Sequence, residues 1–508
     1  MKVQTIGIIG AGISGLVAAK TFLQAGYKVT VFEKLANLGG VWEKSRTYPG
    51  LTTQNNRDTF CFSDYPMPQT FAEWPTAAQM RQYLQSYADD FGVTEHILFN
   101  TEVIHISDES LESSGNWKVR VNTGGQEKIY EFDFVLVCNG LYNVPKIPQI
   151  PGIDEFTNAG GQVIHSTEFN QIEKIKNKRV IVVGFGKSAS DIASIAAENA
   201  SKCDLVYRQA IWRLPKYLLG KINIKNILLT RFSESWLPYR ELRGGEKLLH
   251  TIGKPIVWAF WRTNEMVIRQ QLRLDECNML PNLPLNAVDC SSGIAGDNFF
   301  EYVRTGKIIA HKTKITRYTS EGVELENGEK IKADIVIFGT GFRQDISFLP
   351  EKYRQKILNN QGHFQLYRHL IHPEIPHLGF VGYNTSFFSQ LTSEVGAWWL
   401  LDYIEGYVKL PSQSEMEAEI QADYVWMQKQ LNKTNDASGA CISPFSLRHV
   451  ETLLEDMGVD TKKDLWKSIT QVMQPLDPTI YNEVRQQIQS KRRTEKEHES
   501  MKKLVSLN

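Results

Sequence analysis

No two cysteines in this sequence stand close enough to act together. The six, at positions 61, 138, 203, 277, 290 and 441, form no C-x-x-C or C-x₄-C spacing and no metal-like cluster. A redox dithiol is thereby excluded, no metal site is expected, and reduced, buried thiols are the expected state. Charge of one sign is also missing, since 57 Lys and Arg face 57 Asp and Glu. Nothing in that balance recommends a nucleic acid as partner. No apolar run reaches the roughly 18 residues that a membrane span requires. The N-terminus enters a strand within a few residues and lacks signal-peptide or transit character, so a cytoplasmic location is expected. No Ser/His/Asp or paired-carboxylate constellation is evident either, which argues against chemistry driven by a strong base.

Two glycine-rich turns, about 170 residues apart, carry the strongest positive signal. The first, Gly10-Ala11-Gly12-Ile13-Ser14-Gly15, follows an apolar strand over 3–9 and opens a helix over 15–25. A strand over 28–32 completes the βαβ unit. The glycines permit a tight turn and close approach of backbone to a pyrophosphate. The helix start, with Ser14 in it, supplies N–H donors and a positive dipole end. Glu33 closes the second strand, where a carboxylate accepts ribose hydroxyls and repels a 2′-phosphate.

The second turn, Gly184-Phe185-Gly186-Lys187-Ser188-Ala189, lies between a strand over 179–183 and a helix over 188–200. The next strand, over 204–207, ends without an acid, and Arg208 takes the place that Glu33 holds in the first unit. A guanidinium suits a 2′-phosphate in charge and in bidentate geometry, which favours NADPH over NADH. Ser188 and Lys187 are further phosphate candidates, although Lys187 could equally face solvent. Two nucleotides in one chain must meet, so the expected protein is an electron-transfer enzyme. Without a dithiol, a disulfide reductase is disfavoured.

Further motifs identify the nucleotides. Gly39-Gly40-Val41-Trp42 resembles the GGxW element of two-domain flavoprotein monooxygenases and offers Gly40 and Trp42 to a flavin. Gly339-Thr340-Gly341, after a buried strand, gives another close backbone approach at Thr340 and Gly341. Between the two units, Gly161, His165 and Phe169 match F-x-G-x-x-x-H-x-x-x-[FY], the identifying motif of flavin-containing monooxygenases, with Ala159 in place of the first Phe. Cys61-Phe62-Ser63-Asp64-Tyr65-Pro66 and Leu410-Pro411-Ser412 are also similar to that family. The resemblance spans about residues 4–430. It implies FAD in the first unit and NADPH in the second, with dioxygen adding at flavin C4a. One oxygen then passes to a soft nucleophilic sulfur or nitrogen of a small apolar substrate. The related Baeyer–Villiger oxidation of ketones is the alternative, although Phe169-Asn170 is not the Trp-Pro or Trp-Asp ending typical of that group.

In the family an Asn faces the flavin ten residues before the Asp of the Cys-Phe-Ser-Asp stretch. Gln54 stands there in this chain, and Asn55 could take the role after a one-residue shift. Arg57, close by, could stabilise an anionic oxygen adduct, or pair with Asp58 or Asp64. His165 is expected to brace the hinge or a cofactor ribose. Where the family often has E-L-Q-A-R-W, this chain reads Glu394-Val395-Gly396-Ala397-Trp398-Trp399.

The expected fold is α/β, with two Rossmann-like dinucleotide-binding domains and a helical C-terminal extension. The discontinuous FAD domain is expected over 1–152 and 320–430, the inserted NADPH domain over 153–319, and the extension over 431–508. The tail Lys491–Lys496 is expected to be a solvated or frayed helix. An aromatic and basic insertion at about 214–290 interrupts the second domain. Over 216–273 it carries 11 Lys or Arg against 4 Glu. Three roles remain open for it: a lid packed on the protein itself, a channel lining, or peripheral membrane contact through about 217–272. A homodimer is also left open.

Overall fold

Runs of Ile and Val without polar interruption build strands buried on both faces. In the first unit these are β1 (Thr5–Ile9), followed by α1 (Ile13–Gln24), β2 (Lys28–Phe32), β3 (Ile97–Leu98) and β4 (Phe134–Val137). The second unit comprises β5 (Gln162–His165), β6 (Arg179–Val183), α2 (Lys187–Asn199), β7 (Lys202–Tyr207), α3 (Lys254–Gln271), β8 (Ile308–Lys312) and β9 (Ile335–Phe338). The chain ends with β10 (Leu378–Phe380), α4 (Ser389–Ile404), α5 (Ser446–Asp456) and α6 (Ile480–Ser506). This computed structural model describes residues 3–109, 116–287, 293–430, 441–443, 445–461, 465 and 469–506. Parts of the insertion (288–290) and of the C-terminal extension (431–440) therefore lie outside the described residues.

Two five-stranded parallel sheets result, in the orders β10-β4-β1-β2-β3 and β8-β7-β6-β9-β5. In each, the strand preceding the glycine turn is central, and the turn leaves its carboxyl end. That is where open α/β sheets bind nucleotides.

Starting the return of the first domain at residue 320 is corrected by the pairing of β9. This strand lies between β6 and β5 in the second sheet. The meander before it packs Tyr318, Val323 and Leu325 onto Ile181 and Val336 of that same sheet. The chain crosses back only after Phe338, where Phe342–Arg343 pairs with Val144–Pro145, and it rejoins the first sheet at β10. A fully buried parallel strand carries the same apolar run whichever sheet it joins, so the sequence pattern could not assign it.

Lys491, Arg493, Thr494 and Lys496 are exposed, as expected of a solvated helix, but the helix that carries them is docked along one stripe. Tyr481, Val484, Arg485, Ile488 and Arg492 recur at helical spacing on α6. Tyr481 and Val484 are buried in the core shared with α1, α4 and α5. Arg492 donates to Asp402 at 2.6 Å and to the Met457 carbonyl at 2.8 Å. A polar composition hid one narrow buried stripe.

Candidate active site

The first turn is built by contacts that only glycine allows. Gly10 has φ +101°, and a Cβ there would lie 2.8 Å from the Cys138 carbonyl oxygen. A Cβ on Gly15 would lie 1.8 Å from the Gly10 oxygen, so α1 crosses β1 at the closest backbone approach. Gly40, at φ +59°, faces Gly12, and its Cβ would come to 3.1 Å from the Gly12 Cα. Gly12 caps α1 with no side-chain bond and no acid in the first turn, which leaves the leading N–H groups available to an anion. Ser14 lies there too, its Oγ 3.0 Å from Ser393 Oγ on α4. Trp42 is buried beside the second glycine pair.

Glu33 is buried at the end of β2 and accepts the Ala11 N–H at 2.8 Å and the Leu35 N–H at 2.9 Å. Burial pushes its carboxyl above the usual range, against the pull of those two donors. Each carboxylate oxygen keeps a second lone pair for a ribose hydroxyl. The cradle of glycine backbone, uncapped helix start and buried acid fits the diphosphate and ribose of a flavin dinucleotide.

The second turn repeats the plan with opposite charge. Gly184 has φ +125°, its Cβ would lie 2.5 Å from the Gly339 oxygen, and Gly186 caps α2 without a side-chain bond. Ser188 lies in the first turn of α2, beside the Tyr48 hydroxyl. Arg208 is the first residue after β7, as Glu33 is the first after β2, and it is exposed. An exposed cation at the ribose end fits a 2′-phosphate. Lys187 does not reach for phosphate, because its ammonium pairs with Asp191 one helical turn on.

His165, at the end of β5, meets the chain where it leaves β9. Its Nε2 lies 3.0 Å from the Gly341 carbonyl, and its Nδ1 accepts the Thr167 N–H at 3.3 Å. Nε2 therefore carries the proton, and burial holds the ring below its usual pKa and neutral. Thr340 donates to the Lys146 carbonyl on the opposite strand of the crossing. These bonds hold Thr340 and Gly341 against β5 and the crossing at Lys146.

The loop over 54–57 lies between the units. Gln54 accepts the Ile294 N–H at 3.2 Å, while the buried Asn55 donates to the Phe387 carbonyl, just before α4. Arg57 is committed elsewhere: it donates to the Phe71 carbonyl at 2.7 Å and to Gln69 at 2.8 Å, and pairs with Asp58 at 3.4 Å. Of the two readings of Arg57, the ion pair is the one its geometry carries, and assigning it to the oxygen adduct is corrected.

Sequence reasoning missed Tyr48, Asp191 and Glu394. Tyr48 belongs to the first unit yet is buried in the second core, and donates to Asp191 at 2.9 Å. Glu394 is fully buried and accepts the Ser63 N–H at 2.8 Å and hydroxyl at 2.9 Å. The only advance signal for Asp191 was its i+4 spacing from Lys187. Glu394 stood in a motif compared for its lost Gln and Arg, not for its acid. Among the described residues no group of His, Cys, Asp or Glu could hold a metal.

Comparison with known proteins bears on this arrangement. The flavin-binding monooxygenase-like family matches residues 3–459. A probable flavin-containing monooxygenase 1 of Arabidopsis thaliana is 30% identical, over 93% of this chain and 94% of its own. S-allyl-L-cysteine S-oxygenase from Allium sativum superposes with a TM-score of 0.62 at 20% identity, covering 96% of this chain and 100% of that one. Cyclohexanone monooxygenase in a cyclohexanone-bound form superposes at 0.69 and 19%, covering 92% and 98%. With the two turns, their opposite charges and the bonded crossing in place, the chain belongs to the flavin-binding monooxygenase-like family, as an enzyme that uses FAD and NADPH.

Proposed function

We propose that this monooxygenase transfers one oxygen atom of dioxygen to a soft nucleophilic sulfur or nitrogen of a small apolar substrate. The commitment of Arg57 to Phe71, Gln69 and Asp58 carries this reading over ketone oxidation. Ketone insertion needs an anionic adduct and a cation to stabilise it, whereas transfer to sulfur or nitrogen needs the neutral, electrophilic form. Once held by the residues below, NADPH would supply a hydride to the flavin and the flavin would supply the chemistry that activates dioxygen. Gly10, Gly12, Ser14, Gly15, Gly40 and Trp42 hold FAD in this reading, and Glu33 binds its ribose. Gly184, Gly186, Ser188 and Arg208 hold NADPH. One of the two neighbouring amides, Gln54 or Asn55, faces the reacting centre in this reading, and His165, Thr340 and Gly341 fix the hinge. The domain limits that follow are 3–145 with 342–430 for FAD, and 146–341 for NADPH.

A substrate panel tests the choice. S-Allyl-L-cysteine, which names the activity of one structural neighbour, and a tertiary aryl amine should be oxygenated with NADPH consumption matched to product. Cyclohexanone should give no lactone. A lactone formed faster than any sulfoxide or N-oxide would overturn the choice.

Arg208→Ala should weaken NADPH by roughly tenfold or more, the loss of one or two charge-assisted hydrogen bonds, and leave NADH almost unchanged. Equal losses in the KM values of the two coenzymes would remove the 2′-phosphate assignment.

The insertion is read as serving two faces. Trp236 stacks on Phe260 within the insertion at 4.0 Å, and the inner side packs on the protein through Ile268, buried in the second core. Leu248, Ile252, Ile256 and Trp258 stand outward, each at least 61% exposed, flanked by Lys247 and Lys254. Aliphatic and indole surface beside lysine suits an anionic lipid interface, and no described helix is long and apolar enough to cross a membrane. Co-sedimentation with phosphatidylserine vesicles, abolished in Ile252→Ser/Ile256→Ser, is the expected result. No binding at low salt would leave the insertion as a lid alone.

A further inference from the structure

The carboxylate of Glu73 joins two parts of the molecule that the reaction scheme treats separately. On one side it meets the loop carrying Gln54 and Asn55. Its Oε1 accepts the Asn56 Nδ2–H at 3.0 Å, and its backbone carbonyl accepts the Arg57 N–H at 2.9 Å. Because a carboxylate only accepts, the Asn56 amide is fixed with its nitrogen toward Glu73. Asn56 is 1% exposed, so this bond has no competition from water.

On the other side the same carboxylate accepts the Tyr217 hydroxyl and the Asn223 amide. Those two residues face each other across a hairpin at the start of the insertion. Neighbouring contacts tie the same two parts. The Trp74 ring meets Tyr217 edge to face at 5.4 Å, Lys216 lies over Trp74 at 5.5 Å, and Lys225 pairs with Asp58 at 3.2 Å. The chain just after the insertion meets the loop as well, through the Ile294 N–H on Gln54.

We propose that Glu73 is a positioning residue that locks the insertion hairpin onto the 54–57 loop, so that covering the site and setting its amides are one event. It acts through Asn56 and the hairpin and touches no reacting atom. The proposal rests on the reading that this loop faces the flavin. The consequence for the reaction is exclusion of water: a loosened hairpin lets the activated oxygen leave as hydrogen peroxide before it meets substrate.

The test uses the FAD-loaded full-length protein and the variant Glu73→Ala, with Tyr217→Phe as a milder variant that removes only one bond. Backbone amide exchange should rise roughly tenfold or more in 217–223 and in 54–57 together, as expected when charge-assisted bonds to both are lost. Flavin content should not change. The hydrogen peroxide released per NADPH oxidised in the presence of substrate should rise in Glu73→Ala and, less, in Tyr217→Phe. Faster exchange in the hairpin alone, with the 54–57 loop unchanged, would overturn the lock. Faster exchange in both with no added peroxide would overturn its role in the reaction. Because exchange is read without turnover, failure of the monooxygenase reading would leave that arm intact and be recognised separately.

Discussion

Gly15→Ala is expected to lose both the flavin and the fold of the first unit. The added methyl would lie 1.8 Å from the Gly10 carbonyl oxygen and 2.9 Å from its carbon, both of them backbone. No flexible side chain can yield, so α1 must separate from β1, and β1 is the central strand of its sheet. Overpacking typically costs about 1–3 kcal/mol, and a rigid backbone obstacle puts this change at the upper end. Gly12→Ala gives the contrast. Its Cβ would lie 3.4 Å from the Gly40 Cα, an ordinary contact at an ordinary φ of −84°. The fold should survive, but the methyl enters the gap between two facing glycines where the pyrophosphate approaches backbone. Flavin absorbance of the purified proteins, with thermal unfolding of the apo forms, separates the two. A Gly15→Ala protein that keeps its flavin and its melting temperature would show that the crossing is looser than described.

Glu394→Ala should be the most destabilising single change outside the nucleotide turns. Glu394 of α4 is fully buried, and the charges of Lys20, Asp64 and Arg485 act on it. Lys20 of α1 pairs with Asp64, and Arg485 of α6 reaches Asp64 at 3.4 Å and Gln24 at 2.6 Å. With both carboxylates in place, two cations face two anions. Removing Glu394 leaves Lys20 and Arg485 against Asp64 alone and strips Ser63 of both its bonds. Leaving the buried Ser63 N–H and hydroxyl without their acceptor costs about 1–3 kcal/mol each, and the cavity left by the side chain adds to it. Burial pushes the Glu394 carboxyl above its usual range. The folded protein therefore holds the Glu394 proton more tightly than the unfolded chain does, and wild type should gain stability relative to Glu394→Gln as pH falls. Chemical denaturation at pH 8 and pH 6 reads both effects. A Glu394→Ala protein within 1 kcal/mol of wild type would contradict the assignment of this group as the joint between α1, α4 and α6 (about 1 kcal/mol being an ordinary single-mutation loss).

Both nucleotide units were legible in the sequence because their signals are local. A buried strand, a glycine turn, a helix and a charged residue follow one another within about 30 residues, which is the span of one βαβ unit. Glu33 and Arg208 could be compared for the same reason. The contacts that join the units are another matter. Tyr48 and Asp191 are 143 positions apart, and Ser63 and Glu394 are 331 apart, so no periodicity connects them. β9 was assigned to the wrong sheet because its apolar run fits either. Arg57 was legible as a cation near the loop, but its partners at Gln69 and Phe71 depend on how the loop folds back. The docked face of α6 was missed because Arg485 and Arg492 count as polar in any composition, yet here the buried Arg485 and the half-buried Arg492 anchor it.

The central claim is that two nucleotides meet in this chain and deliver an activated oxygen. The direct measurement is anaerobic reduction of the FAD-loaded protein with NADPH, followed by mixing with oxygenated buffer under a diode-array detector. NADPH should bleach the flavin. Oxygen should then produce a long-lived species, spectrally distinct from both oxidised and reduced flavin, that decays faster when a sulfide or amine is added. Immediate return to oxidised flavin, with one hydrogen peroxide released per flavin, would contradict the claim.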